Sequence, residues 1–256
     1  MRNILLTIAY DGTNFCGWQR QPGQRTVQGE LERVLGILCA RPISLNGTSR
    51  TDAGVHAMGQ RASFQEDFQI PTENIAKAAN NLLASGLGPS GVGDVRILAA
   101  EEVAPDFHAR FSSRGKRYIY RISNSKTPDL FQRNYCYYIR EPLDINAMQL
   151  AAGAIAGEHD FRCFMAAGGK EMESTVRTIY KLSVDKQGDD IFLTVEGNGF
   201  LYNMVRIITG TLVEVGLGKR APEELPDIIG SRDRRRAGHT APPQGLYLME
   251  VFYENQ

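Results

Sequence analysis

The 256-residue chain is 42% apolar and 23% charged, which is ordinary for a globular protein and excludes disordered, collagen-like and membrane-embedded classes. Its 29 basic residues balance its 29 acidic ones, so bulk charge gives no evidence for nucleic acid or membrane and any polyanion site must be a local patch. Cys16, Cys39, Cys136 and Cys163 stand far apart with no C-x-x-C pair, which fits buried free thiols in a reducing compartment rather than a zinc site or a disulfide framework.

In chain order, residues 4–10 form an apolar run that stops at Asp11-Gly12, too short and wrongly flanked for a signal peptide and suited to a strand. Nowhere does the chain hold the roughly 20 consecutive apolar residues that a membrane helix needs, so no membrane partner is expected and the chain reads as cytoplasmic. Thr26 followed by Val27, Leu31, Val34, Leu35 and Leu38 predicts a capped helix with an apolar stripe. Residues 43–47 and 57–65 predict short strands around a polar loop, Pro71-Thr72-Glu73 opens a helix carrying Ile75, Ala79 and Leu82, and residues 94–103 return to strand.

The second half repeats the order with an extra strand and a short helix. It predicts strands near 116–123 and 135–140, a helix from Asp144 to about 156, strands at 175–184 and 190–197, a helix at 201–216, a short helix near 222–229 and a last strand at 246–253. The expected fold class is α+β: two ferredoxin-like-derived βαββαβ halves, residues 1–107 and 108–256, with antiparallel sheets joined side by side and an active-site cleft between them.

Gly86-Leu87-Gly88-Pro89-Ser90-Gly91 matches G-x-G-x-x-G but follows a helix and precedes a strand, the inverse of a dinucleotide site, and reads as a loop. There is no phosphate-binding G-x-x-x-x-G-K-[ST] run, and His56, His108, His159 and His239 share no metal-ligand spacing, so neither cofactor nor metal is expected. Residues 110–121 carry Arg110, Arg114, Lys116, Arg117 and Arg121 with no acid, interleaved with Phe111, Tyr118 and Tyr120. Cations for phosphates and rings for bases are what a nucleic-acid surface needs, although a solvated strand face has the same composition. The run Arg232-Asp233-Arg234-Arg235-Arg236 reads equally well as a solvated turn.

Arg50-Thr51-Asp52-Ala53-Gly54-Val55-His56-Ala57 lies on a connection between two predicted strands, where catalytic groups tend to sit, although Asp flanked by Thr and Gly is also a common turn former. This run resembles the signature of the tRNA pseudouridine synthase A family. The resemblance continues through Asp106-Phe107-His108-Ala109-Arg110-Phe111, Lys116-Arg117-Tyr118-Ile119-Tyr120, His159-Asp160-Phe161, residues 198–210 (NGFLYNMVRIITG) and Pro242-Pro243-Gln244-Gly245-Leu246-Tyr247-Leu248, nearly the whole chain. The stretch from Ser85 to Gly93 looks longer than the family's usual connection there.

The resemblance implies isomerisation of uridines 38, 39 and 40 in the tRNA anticodon stem-loop to pseudouridine, with no cofactor consumed and with a homodimer as the usual assembly. It places Asp52 at the catalytic position, leaving open whether the carboxylate attacks C1′ or C6 or deprotonates C2′. By the same resemblance Arg206 is its cationic partner, Tyr118 stacks on the target uracil and Leu246 lines the base pocket. Arg50 is the candidate for stabilising a flipped-out nucleotide, by stacking or phosphate binding, unless it forms an ion pair with Asp52. Arg110, Arg114, Lys116 and Arg117 are the candidates for the RNA backbone. His56 reads as a hydrogen-bonding loop residue as readily as an acid–base partner. A catalytically silent RNA-binding protein on the same scaffold is the alternative, and would need a lost carboxylate or a lost basic strand.

Overall fold

A computed structural model describes residues 1–85, 91–168 and 173–253, so residues 86–90 of the G-x-G-x-x-G stretch lie outside the described residues. The fold is mixed α+β, with five α-helices among the described residues. None of these helices is long and apolar enough to cross a membrane. The chain divides into two compact units, one comprising Met1–Arg114 with the C-terminal segment from Leu248, the other Gly115–Tyr247.

In the first unit the chain runs β1 (Arg2–Tyr10), α1 (Val27–Cys39), β2 (Asn46–Gly47), β3 (His56–Glu66), α2 (Thr72–Leu83) and β4 (Val95–Val103). Strand β1 pairs antiparallel with both β3 and β4, and β2 with β3, giving the order β4-β1-β3-β2. Period-2 alternation sends Ile4, Leu6 and Ile8 to one face of β1, with Phe64 and Ala62 opposite Ile4 and Leu6. Helices α1 and α2 add Val27, Leu31, Val34, Leu35, Ile75 and Ala79 to the buried set. Each large side chain of this core contributes roughly 1.5–3 kcal/mol by burial.

Thr26 caps α1 as its position predicts, its side chain accepting from Gly29 N. The expected strand at 43–47 shrinks to Asn46-Gly47. Upstream of it Leu45 finds its partners on α1: Leu45 N donates to Glu32 Oε1 (3.0 Å) and Gln28 Nε2 donates to Leu45 O (3.1 Å), so helix side chains replace a strand ladder. On the other face of the sheet the Asp106–Arg110 segment is bound as a strap: Asn3 Nδ2 donates to Ala104 O and Phe107 O (2.8 Å each), and Ala109 N donates to Ser63 Oγ (3.1 Å).

The second unit contains β5 (Ser113–Ser123) from Gly115 onward, β6 (Tyr137–Tyr138), α3 (Ile145–Ile155), β7 (Gly157–Asp160), β8 (Val176–Gln187), β9 (Asp190–Gly197), α4 (Met204–Gly216) and α5 (Leu225–Ser231), and it leads into β10 (Leu246–Tyr253). Strand β9 lies antiparallel between β5 and β8, β7 pairs with β8, and β6 runs parallel to β5. Strand β7 was not expected, because Gly157-Glu158-His159-Asp160 has no apolar alternation and is extended only by pairing with β8. Helix α4 begins at Met204 rather than 201, since Asn203 adopts a left-handed conformation (φ 59°) that helical residues do not. Its interior is apolar almost all round, and a Cβ on Gly210 would come within 1.9 Å of His239 O, so only glycine lets the 239 segment lie against the helix. The four cysteines are free thiols; Cys136 and Cys163 are buried as expected, Cys39 is half-buried and Cys16 is exposed. Burial pushes the Cys163 thiol up to about 12, which keeps it protonated and inert.

Candidate active site

The Arg50–Ala57 motif bridges β2 and β3, and the backbone is held just before it and at Thr51, Asp52 and Val55 within it. Thr48 N donates to Arg61 O (2.9 Å), and the Thr48 hydroxyl sits 2.9 Å from Ala109 O and 3.0 Å from the Tyr253 hydroxyl. Gln60 Nε2 donates to Ser49 O (2.8 Å), Trp18 N donates to Thr51 O (3.0 Å), and the Tyr10 and Thr51 hydroxyls share a 2.7 Å bond. Val55 N closes a turn onto Asp52 O (3.2 Å). Gly54 supplies the positive φ (79°) that the third position of a type II turn requires, while Ala53 keeps a negative φ. The motif's glycine is therefore a backbone requirement, and Asp52 is the first residue of the turn.

Asp52 is half-buried on this framework, and Arg50 is exposed. His56 is the first residue of β3 rather than a loop residue. It is buried, and its Nδ1 accepts from Gly12 N (3.1 Å) with Asp11 Oδ1 3.2 Å away. Arg110 and Arg114, near the end of the first unit, are both exposed.

In the second unit, alternation along β5 puts Lys116, Tyr118, Tyr120 and Ile122 on one face and Arg117, Ile119 and Arg121 on the other. The basic segment is thus divided between two faces. Arg117 Nε donates to Glu196 Oε1 (2.8 Å), its cross-strand neighbour, and Arg121 pairs with Asp190 (2.9 Å). Tyr118 is buried, with its ring edge-on to Phe200 (centroids 5.1 Å apart, 85° between planes). Arg206 is half-buried on α4, where Nε donates to Ala241 O (2.8 Å) and Nη1 to Asn203 Oδ1 (2.8 Å). The neighbouring Pro242 O accepts from Tyr120 Oη (2.6 Å), and a few residues on the chain reaches Leu246, buried at the start of β10. Arg206 and Leu246 are thereby tied to one anchored segment.

The same segment is tied at His239. Glu214 Oε1 accepts from His239 N (2.9 Å) and lies 3.0 Å from His239 Nδ1, and Glu214 Oε2 accepts from Arg220 Nε (2.6 Å). Burial alone would raise the Glu214 carboxyl, but the Arg220 and His239 hydrogen bonds outweigh it and hold it at about 2, below its ordinary 4.5. A carboxyl depressed by folding adds stability above its unfolded value and loses it as pH falls through its folded one. Glu214→Gln is therefore expected to lower the denaturation midpoint at neutral pH and to match the parent protein near pH 2, a difference that urea melts across that range will read.

The 232–236 run makes local pairs while Arg232 and Arg235 stay exposed. Arg232 pairs with Asp160 (3.0 Å), Arg235 pairs with Asp233 (2.6 Å), and Arg234 donates to Gly238 O (2.8 Å) and Thr240 Oγ1 (3.1 Å). Among the described residues no group of three or more His, Cys, Asp or Glu is placed to hold a metal ion. The residues that sequence reasoning missed are Tyr10, Gln60 and Tyr253, which grip the motif from elsewhere in the first unit. The hydroxyl-rich run Thr48-Ser49 was the available signal, since buried hydroxyls need partners.

The chain matches the tRNA pseudouridine synthase family over residues 6–112 and 151–254. Curated relatives bear the name tRNA pseudouridine synthase A. One from Thermoanaerobacter sp. is 46% identical over 253 residues, covering 99% of this chain and 100% of the relative. One from Ruminiclostridium cellulolyticum is 48% identical over 254 residues with the same coverage, and one from Halalkalibacterium halodurans is 47% identical over 247 residues, covering 96% and 90%. A solved chain from a Cbf5–Nop10–Gar1 complex aligns at TM-score 0.37 and 12% identity over 97% of this chain and 59% of its own length, too distant to bear on the fold. With the family match covering most of the sequence and relatives close to half identical from end to end, the chain belongs to the tRNA pseudouridine synthases.

Proposed function

We propose that the chain is an isomerase that converts uridines 38, 39 and 40 of the tRNA anticodon stem-loop to pseudouridine, with Asp52 as its catalytic carboxylate. Membership of the tRNA pseudouridine synthases supports the reaction, and the Asp52 turn, pinned on both sides, is the observation that carries the assignment of the residue. The reaction breaks the bond from ribose C1′ to N1 of the base, turns the base, and joins C5 to C1′. The proton on C5 leaves and N1 gains one, so atoms and electrons balance without a redox or group-transfer cofactor. A carboxylate acts as nucleophile or base only when ionised, and a nearby guanidinium favours that form. By the family resemblance Arg206 is the candidate for this role, Tyr118 for stacking on the target uracil and Leu246 for lining the base pocket. A base inside a stem must first swing out, at a cost of a few kcal/mol, and the exposed Arg50 guanidinium binds the nucleotide that has left the stack.

The fold that goes with this reading is a pair of ferredoxin-like βαββαβ halves, residues 1–107 and 108–256. The antiparallel order β4-β1-β3-β2 supports it for the first half, and β5-β9-β8 for part of the second. The protein works in the cytoplasm as a homodimer, so that local patches on a chain of zero net charge add up to a surface for tRNA. Release of tritium from tRNA labelled at C5 of uridine, followed by mapping of the modified positions, tests the function. Loss of label at positions 38–40 is expected, and modification confined to other positions overturns the assignment.

The backbone contacts are separable by salt. Neutralising exposed Arg110 and Arg114 together is expected to weaken tRNA binding and to lower the slope of log affinity against log salt by about 0.7–0.9 for each phosphate that is no longer neutralised. Arg117→Gln removes a charge already compensated by Glu196 and is expected to change the slope far less. An unchanged slope in the Arg110/Arg114 variant would leave that segment as a solvated surface.

A further inference from the structure

The geometry points to Tyr10 and Thr51 as positioning residues for the reaction, a buried hydroxyl pair that fixes the backbone immediately before Asp52. This rests on Asp52 being the catalytic carboxylate. Tyr10 ends β1 on the same face as Ile4, Leu6 and Ile8 and is only 5% exposed. A buried phenol hydroxyl is costly without a partner, and this one has the Thr51 hydroxyl at 2.7 Å, itself buried. Thr51 is held from a second direction by Trp18 N on its carbonyl, and the fully buried Trp18 ring stands 6.1 Å from that of Tyr10.

Two residues beyond Tyr10, Gly12 N donates to His56 Nδ1 (3.1 Å). The end of β1 therefore grips the loop at the residue before Asp52 and again four residues after it, while the Val55 N to Asp52 O bond closes the turn between the two grips. Threonine suits the first grip because its β-branch restricts χ1, so holding its hydroxyl also holds its backbone. Were Tyr10 present only to fill the core, phenylalanine would serve equally well. A displacement of about 1 Å in a reacting group costs on the order of 100-fold in rate, so a brace of this kind acts on turnover and not on binding.

The test uses Tyr10→Phe, Thr51→Val, the double variant and Thr51→Ser, with Asp52→Asn as control, in single-turnover pseudouridine formation on one tRNA. Affinity and melting temperature are measured in parallel. Each single variant is expected to react about 10-fold more slowly with unchanged tRNA affinity at temperatures well below its melting point. The double variant should be no slower than the slower single one, because both remove the same bond, and Thr51→Ser should recover most of the rate. Single variants that melt earlier yet react at the parent rate would overturn the proposal, as would losses that multiply in the double variant or a fall in affinity that accounts for the whole effect. Turnover by Asp52→Asn would instead overturn the catalytic reading of Asp52, so the two failures are distinguishable.

Discussion

Asp52→Asn is expected to abolish pseudouridine formation while leaving tRNA affinity within a few-fold of the parent. The amide neither attacks carbon nor accepts a proton at neutral pH, and a positioned acid–base group alone is typically worth about 10²–10⁴-fold in rate. The variant is chosen because asparagine keeps the turn. The turn is closed through the backbone carbonyl of Asp52, its positive φ falls on Gly54, and asparagine is as good a turn residue as aspartate. Binding is dominated by phosphate contacts made by cations, which the substitution leaves in place. Single-turnover kinetics beside an affinity measurement will decide it. Substantial residual turnover in a preparation free of host enzyme would remove Asp52 from the chemistry, and a large loss of affinity would make it a binding residue.

The fold was legible wherever a local signal and a tertiary requirement agreed. Thr26 and the stripe from Val27 to Leu38 announce α1, because the cap and the buried face lie within one stretch of sequence. Strand β7 was illegible for the opposite reason, since its extended backbone is imposed by β8 from outside. The truncation of 43–47 has the same origin, with Gln28 and Glu32 of α1 occupying the backbone groups of Leu45 that a strand would have paired.

The site divides in a similar way. The run from Arg50 to Ala57 is visible as a loop between strands and acquires a chemistry through its resemblance to a family. Nothing in it points to Tyr10, which is 41 residues from Thr51 in sequence and reaches it only once β1 and β3 are in register. The basic strand was half legible: period-2 alternation already separates Lys116 from Arg117, whereas compensation of Arg117 by Glu196 depends on the β5–β9 register.

Tyr118→Phe is expected to bind tRNA nearly normally and to form pseudouridine very slowly. Stacking on a flipped uracil needs only the ring and is worth about 1–3 kcal/mol per base, while the hydroxyl, which we propose helps to remove the C5 proton in the last step, would contribute typically about 10²–10⁴-fold as an acid–base group. The substitution keeps the buried ring, in the middle of β5, for edge-on packing against Phe200. Tyr118→Leu removes both the platform and that ring pair. It is expected to loosen the complex as well as to slow the reaction, and to cost about 0.5–1.5 kcal/mol of stability from the missing ring pair on top of the change in packing. Single-turnover rates, affinities and thermal melts of the two variants on one tRNA separate the contributions. A Tyr118→Phe variant reacting at the parent rate would show that the hydroxyl takes no part in the slow steps, leaving Tyr118 as a stacking surface and assigning removal of the C5 proton to another group.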